Sequence, residues 1–403
     1  MPDFASPWIA AWFWITLAIG LVWLRRHLQV NRGGKEHVLS EQDAQTVDQS
    51  GGGADSNGWP SLSVVVAAKD EEQNIARCID GLLAQDYPRL QVIIANDRSR
   101  DRTPQIIDDY ARRDPRLTAV HVRELPAGWF GKNNAMREAM QHATGELLCF
   151  SDADCAYDSP LLLRAAVSFA RREGIEFLSV LPRLEANSLW EKVIQPVAGA
   201  IMVFWFPPQK VNDPRCREAY ANGAFMLMTR RAYEAIGGHE YAKATLNEDM
   251  HMARQAKRVG VRLRVLQSAG LYRVRMYTGL KQIWRGWTRI FYGCFGTLPR
   301  LLASVIMLSI FSVSPYVALL ASPLVGGSGL WLAAAAAFAI VSQQSILMRF
   351  YALTGNAPGW ALTYPVGATV CLGMTLNAMT RLTGKTTNWR GTAYAGGAQV
   401  KTT

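Results

Sequence analysis

Four short apolar runs, at residues 62–67, 90–95, 117–122 and 147–151, alternate with stretches of helical periodicity. The first such stretch, 71–83, sets Ile75, Cys78, Ile79, Leu82 and Leu83 on one stripe. The second opens at Asp101 and puts Ile106, Ile107 and Tyr110 on one face, and the third runs 132–143. Strands alternating with helices of this length argue a mainly parallel sheet joined by right-handed crossovers. The expected fold class is therefore α/β. Polar clusters close the runs: Lys69-Asp70-Glu71-Glu72, Asn96-Asp97 and Asp152-Ala153-Asp154. Each follows a strand, so they converge on one edge of the sheet, where open α/β folds bind ligands.

The last cluster constrains the chemistry. Asp152 and Asp154 stand one residue apart at the end of the buried run 147–151, which the turn pair Thr144-Gly145 precedes. Two carboxylates so placed repel unless a cation joins them. A hard divalent ion with oxygen ligands, also holding substrate phosphates, meets that need. The plainer reading is a solvated turn after a strand.

The 403 residues are 49% hydrophobic, and the excess lies mostly at the two ends. Residues 7–24 are apolar, carry four tryptophans and stop at Arg25-Arg26. The run is too long and too aromatic for a cleaved signal peptide. It reads as a transmembrane helix with its carboxyl end in the cytoplasm. Residues 301–324, 330–347 and 360–379 are free of charge and read as three more. Four crossings leave both termini on one side, yet Arg26 argues for an outside amino terminus and Arg381, Lys385 and Arg390 for a cytoplasmic tail. Either one span is re-entrant or the segment 193–206 crosses. That segment is apolar and aromatic but shorter than the roughly 20 residues a span needs. It reads as an interfacial segment or a buried helix.

The net charge of +11 is compatible with nucleic acid, an anionic membrane face or a phosphorylated ligand. Basic residues cluster beside the apolar segments, at Arg25-Arg26-His27 and between Arg273 and Arg300. That favours membrane and phosphate over nucleic acid, for which no basic–aromatic module appears. The six cysteines lack metal-ligand spacing and read as buried free thiols of a reducing compartment. His239 and His251 likewise show no ligand spacing and read as core or surface residues. Further along, 160–172 reads as a helix capped at Ser159, 177–181 and 222–228 as strands, and 250–259 as a helix preceded by Asn247-Glu248-Asp249. The expected layout is a membrane helix at 1–30, a flexible linker at 31–60, a catalytic domain at 61–300, membrane helices at 301–380 and a basic tail at 381–403.

Taken together, these motifs resemble the family 2 glycosyltransferases, inverting enzymes with a Rossmann-like nucleotide-sugar-binding domain of the GT-A type. Val64-Val65-Val66-Ala67-Ala68-Lys69-Asp70-Glu71-Glu72 is similar to that family's first strand and loop. Asn96-Asp97-Arg98-Ser99-Arg100-Asp101 matches its Asp-x-Ser-x-Asp element, Asp152-Ala153-Asp154 its metal element, and Glu248-Asp249 the pair that carries the base. A narrower likeness is to membrane-bound members acting on lipids, of the ceramide, hopanoid and carotenoid types. It is carried by Gly128-Trp129-Phe130-Gly131-Lys132, Ala221-Asn222-Gly223-Ala224-Phe225-Met226, Met276-Tyr277 and Asn388-Trp389-Arg390-Gly391-Thr392-Ala393-Tyr394. The family's Gln-x-x-Arg-Trp element departs here: Gln282-Ile283-Trp284-Arg285-Gly286-Trp287 places one residue between Arg and Trp.

The resemblance implies transfer of a sugar, from UDP in the leading expectation, to a lipid hydroxyl at the inner face of the plasma membrane. Ala68, Asp70, Glu72, Asp97, Lys132 and Asp152 are the expected nucleotide-sugar contacts. Asp152 and Asp154 are the expected ligands of Mg2+ or Mn2+. Asp249 is the expected base with Glu248 beside it, and Arg285 and Trp287 are expected to assist from another segment. A single base with no second nucleophilic carboxylate implies direct displacement with inversion. A polyprenyl phosphate acceptor served by Arg273, Arg275, Lys281 and Arg289, a processive polysaccharide synthase, and a silent nucleotide-binding membrane protein stand as alternatives.

Overall fold

The computed structural model describes residues 6–32, 38–45 and 58–383, with further strands at 387–389, 392–395 and 398–400. The chain divides into two compact units. One is built on a sheet (37–185, 203–276 and 384–403) and the other is helical (1–36, 186–202 and 277–383). The carboxyl boundary thus falls at 276, where the sequence reading placed it at 300.

The strands of the sheet unit are β1 (Val38–Leu39), β2 (Leu62–Ala68), β3 (Leu90–Asp97), β4 (Leu117–Val122), β5 (Leu147–Asp152), β6 (Cys155–Tyr157), β7 (Phe177–Leu181), β8 (Arg183–Leu184), β9 (Phe225–Thr229), β10 (Leu263–Ser268) and β11 (Tyr272–Val274). Eight form one sheet in the order β1-β10-β7-β9-β5-β2-β3-β4. All neighbours in it are parallel except around β9, which runs against both β5 and β7. A small second sheet joins β6, β11 and β8. Val64, Val65 and Val66 in β2 are each 0% exposed, as expected of a strand covered on both faces.

The helix Ile75–Leu83 buries Ile75, Cys78, Ile79 and Leu82, the stripe read from the sequence. It starts four residues later than that reading, because 70–74 form a loop bonded to the neighbouring loop. The helix Leu162–Glu173 begins just past Ser159, whose Oγ accepts from the Leu161 amide at 3.1 Å, and it ends at Gly174 in the left-handed region.

Residues 38–45 correct the expectation of a flexible linker across 31–60. β1 pairs with β10 at the sheet edge, and Leu39 is 0% exposed. Arg172 pairs with the buried Asp43 at 3.2 Å, and Ser159 donates to Glu41 at 2.6 Å. One leucine seated in the core and these polar ties fix a strand of only two residues. Residues 33–37 and 46–57 of the expected linker lie outside the described residues, as do Lys385 and Arg390.

In the helical unit, Pro7–Leu28 and Leu298–Leu353 are long and apolar enough to cross a membrane. Within the second, the chain turns at Gly326 (φ 63°), between a helical run ending at Ala321 and the helix Gly329–Leu353. Tyr316 donates to Gln343 at 2.9 Å and accepts from Gln344 at 2.8 Å, which holds the two runs side by side. A π-helical turn at Leu308–Val313 leaves the Phe311 carbonyl free to accept from Trp23 (3.1 Å) and Gln343 (3.0 Å). The expected span 360–379 contains a helix, Tyr364–Met379, of 16 residues. 3₁₀ turns continue it at both ends, at Pro358–Thr363 and Thr380–Thr383.

Residues 193–206 fall largely within the helix Leu189–Trp205, which buries Val193, Ile194, Val197, Ala198, Ile201 and Met202. The buried-helix reading therefore describes its first part. A reciprocal cap closes its amino end: Glu191 accepts from the Ser188 amide at 2.5 Å, and Ser188 Oγ accepts from the Glu191 amide at 3.4 Å. The Val193 carbonyl approaches Gly367 so closely that any side chain there would overlap it.

Gly145 is equally confined at the entry to β5. A Cβ there would press on the Ser63 amide and lie 2.7 Å from the Leu147 carbonyl. Both are backbone groups of paired strands and cannot yield alone. Gly145→Ala is expected to destabilise the protein by about 1–3 kcal/mol. Chemical unfolding followed by tryptophan fluorescence checks this, and an unchanged midpoint would contradict the packing.

Candidate active site

The helix Gly131–Met140 opens beside the carboxyl ends of β3 and β5. A lysine in a helix's first turn sits badly with the macrodipole. At Lys132 two carboxylates override that cost. Its Nζ lies 2.7 Å from Asp152 Oδ1 and 2.6 Å from Glu248 Oε1. The side chains of Lys132 and Glu248 are only 18% and 6% exposed, while Asp152 reaches 34%. Burial works against the charged amine, but Asp152 and Glu248 outweigh it and hold the pKa well above the usual lysine value.

Glu248 and Asp249 form the first turn of the helix Glu248–Arg258. Asp249 accepts from the Gly223 amide at 3.0 Å and from its neighbour Met250 at 2.7 Å. Burial raises its pKa from 3.8 to about 7, and the adjacent Glu248 adds to the rise. Lys132 and the two amides pull the other way without cancelling it. A carboxyl poised there is suited to general-base work near neutrality. Gly223 allows the close assembly: a Cβ on it would lie 3.1 Å from Lys132 Nζ, 3.5 Å from Glu248 Oε1 and 3.6 Å from Asp249 Oδ2.

The same helix start also holds the loop that leads into Glu248. The buried Asn133 donates to the carbonyls of Ala242 (2.6 Å) and Thr245 (2.9 Å), and the Phe130 amide donates to Lys243 at 2.6 Å. The sequence reading assigned Asn133 nothing. Its signal was an Asn-Asn pair near a helix start, where such residues commonly serve as caps.

Asp97, 1% exposed, ends β3. Arg98 clasps it through two hydrogen bonds of 2.7 and 3.1 Å, and Lys69 Nζ stands at 4.0 Å. A Cβ on Gly131 would come within 2.5 Å of Asp97 Oδ2, so only glycine fits against it. A carboxylate has about four lone-pair sites, so acceptor capacity remains for a ligand. Asp70 and Glu72 bond to the loop after β3. Asp70 accepts from the Arg100 amide at 2.8 Å and its own amide donates to Ser99 at 3.0 Å. Glu72 accepts from the Arg102 amide at 3.1 Å and its amide donates to Asp101 at 3.0 Å. These bonds join the loops after β2 and β3. Ala68, 1% exposed, closes β2 beside them.

Asp152 and Asp154 both remain partly exposed at the end of β5. Among the described residues, no three or more His, Cys, Asp or Glu side chains are grouped to hold a metal by themselves. Two carboxylates alone would leave the oxygen shell of a hard divalent ion incomplete. The Lys132 ammonium meets the charge of Asp152 at 2.7 Å.

Arg285 and Trp287 belong to the helical unit, whereas the acidic cluster lies in the sheet unit. Arg285 is exposed; Trp287 is 4% exposed and packs on Phe291 with ring centroids 5.6 Å apart. Gln282 closes the amino end of the helix Leu280–Phe295, accepting from the Thr278 amide at 3.0 Å and its hydroxyl at 3.1 Å. The Tyr277 ring covers Gly286, where any Cβ would collide with it. His239 is a core residue as read. It bonds Tyr233 at 2.9 Å, and burial lowers its pKa to about 3.

The description "Glycosyl transferase family 2" matches residues 63–237, and "Glycosyl transferase family group 2" matches 213–376. Both descriptions are of family 2 glycosyltransferases, and between them they match residues 63 to 376. The first of the two matches takes in β2 to β9, most of the eight-stranded sheet. The chain is similar to a beta-monoglucosyldiacylglycerol synthase from Synechocystis sp., at 30% identity over 48% of this chain and 40% of that protein. It is also similar to 4,4'-diaponeurosporenoate glycosyltransferase from Staphylococcus aureus, at 24% identity over 61% of this chain and 65% of that protein. It thus spans less than two thirds of either relative. A solved mannosyltransferase from Pyrobaculum calidifontis, in complex with GDP-Man and Mn2+, shares 18% identity with a TM-score of 0.48, covering 90% of this chain and 99% of its own.

The raised Asp249 pKa carries a stability consequence for this domain. Between about pH 4 and pH 7 the folded chain keeps a proton that the unfolded chain has released, so this group's contribution to stability falls as pH rises. Asp249→Asn is expected to raise the thermal midpoint increasingly from pH 4 to pH 7, with a plateau above. A shift equal at pH 4 and pH 8, read by circular dichroism, would contradict the assigned burial.

Proposed function

We propose that this protein is an inverting glycosyltransferase that moves a sugar from a nucleoside diphosphate to the hydroxyl of a membrane lipid. The observation that carries the reading is Asp249. It is held by two backbone amides, with a pKa near 7, beside the Lys132–Glu248 pair at the carboxyl edge of the sheet. The acceptor O–H gives its proton to Asp249 as its oxygen attacks the anomeric carbon. The bond from that carbon to the diphosphate oxygen breaks, and the electron pair leaves with the diphosphate. Asp152 and Asp154 would hold Mg2+ or Mn2+, which when bound supplies positive charge to the leaving group. Lys132 adds a second charge from the protein side. Asp97 faces the nucleotide's base, on a loop pair braced by Asp70 and Glu72.

The lipid acceptor is supported by the two relatives' names and by the apolar helices of the chain. Gly20 packs on Phe338 and His27 bonds Ser345 at 3.0 Å, so helices Pro7–Arg32 and Gly329–Leu353 run in the same direction. Arg25, Arg26 and Arg349 then share one end, which the positive-inside rule places in the cytoplasm. Three crossings, at Pro7–Leu28, across 298–321 and across 329–353, put the amino terminus outside and the carboxyl terminus inside. On this reading the helix Tyr364–Met379 is the segment that does not cross. The catalytic domain then works on the cytoplasmic face of the inner membrane. Arg273, offered for a polyprenyl phosphate pocket, already pairs with Asp158 and with Glu185 at 3.7 Å, which favours the neutral hydroxyl acceptor.

The test uses detergent-purified protein, a lipid extract, labelled UDP- and GDP-sugars, and Mg2+ or Mn2+. Label is expected in an organic-soluble, acid-stable product, lost with chelator and reduced about 10²–10⁴-fold in Asp249→Asn. kcat/KM is expected to rise with pH through a limb near 7. Full activity in Asp249→Asn, or label in water-soluble product alone, would overturn the reading.

A further inference from the structure

We propose that Lys132 is a resident cation that competes with the divalent ion for Asp152, so that metal and donor enter by moving its ammonium off that carboxylate. The inference rests on the metal assignment made above and goes beyond it. Three observations carry it. First, the ammonium bridges the two acidic motifs at 2.7 and 2.6 Å, so the Oδ1 of Asp152 that faces the site is already in contact with a positive charge. Second, the ammonium has little room. A Cβ on Gly223 would lie 3.1 Å from Nζ, so the backbone closes one side of it. Third, the two carboxylates differ in burial. Glu248, at 6% side-chain exposure, needs a permanent counter-ion, whereas Asp152, at 34%, is open to solvent and to an arriving cation.

A divalent ion coordinated by Asp152 and the bridging ammonium would stand within a few ångströms of each other, with strong mutual repulsion. The flexible four-carbon stem lets the ammonium yield. It keeps Glu248 and turns from Asp152 toward the negative charge that enters with the metal, the donor's diphosphate. Without ligand Lys132 holds the acidic site together, and with ligand it becomes a phosphate contact. No covalent step is involved.

The experiment titrates Mn2+ alone into the detergent-purified full chain and reads free aquo-Mn2+ by electron paramagnetic resonance. Lys132→Met is expected to bind Mn2+ about tenfold tighter than wild type, because the competitor is gone. Lys132→Arg, which keeps the charge, is expected to stay close to wild type. Lys69→Met removes the same charge beside Asp97 and is expected to change affinity less than about twofold. Lys132→Gln replaces Lys132→Met should the latter fail to fold, as judged by circular dichroism. Equal or weaker Mn2+ binding on loss of Lys132 overturns the competition. Mn2+ binding by neither wild type nor the lysine-free variant overturns it as well. Wild-type binding that survives Asp154→Asn unchanged would instead remove the metal assignment, a failure separable from the first.

Discussion

Asp152 ends a central strand, Glu248 opens a distant helix, and the ammonium of Lys132 is what brings the two into contact. Without it, Asp152, Glu248 and Asp249 would be like charges crowded against a buried glycine. The same lysine tempers the field on Asp249, whose pKa burial and Glu248 raise to about 7. One cation thus joins Asp152 to Glu248 and offsets part of the rise that burial causes at Asp249. The neighbouring Asn133 anchors the loop before Glu248 from the same helix turn, so position and charge come from one short segment.

Glycine is the other constraint. Gly131 lies against Asp97 and Gly223 against Lys132, each where a methyl group would intrude. Both stand at the edge where strands end, and backbone can approach a carboxylate more closely than a side chain allows. In the helical unit the same logic brings Val193 against Gly367 and Phe338 against Gly20. Small residues there let helices approach closely, as the packing of apolar helices requires.

Much of this was legible in the sequence. The four apolar runs became β2 to β5, since two-sided burial leaves a simple pattern of β-branched residues. Asp97 and Asp152 end strands and Asp249 lies in a helix's first turn, places that the sequence pattern fixes. The contact of Lys132 with Glu248 was not legible, since nothing local in sequence records a pairing made by tertiary packing. The loop bonds of Asp70 and Glu72 were not legible for a related reason. Their partners are backbone amides, which carry no sequence signature. Residues 38–45 look polar and linker-like, and a single buried leucine decides otherwise. The resemblance grouped Arg285 and Trp287 with the base, and both stand on the helix Leu280–Phe295 of the helical unit.

The central claim is that Asp249 serves as the single base of a direct displacement, with no carboxylate acting as nucleophile. The most direct measurement is the anomeric configuration of the first product, read by proton NMR against that of the nucleotide donor. The account predicts inversion, with the glycosidic linkage opposite in configuration to the donor. A product with the donor's configuration retained would require a covalent or front-face route and would contradict the assignment of Asp249.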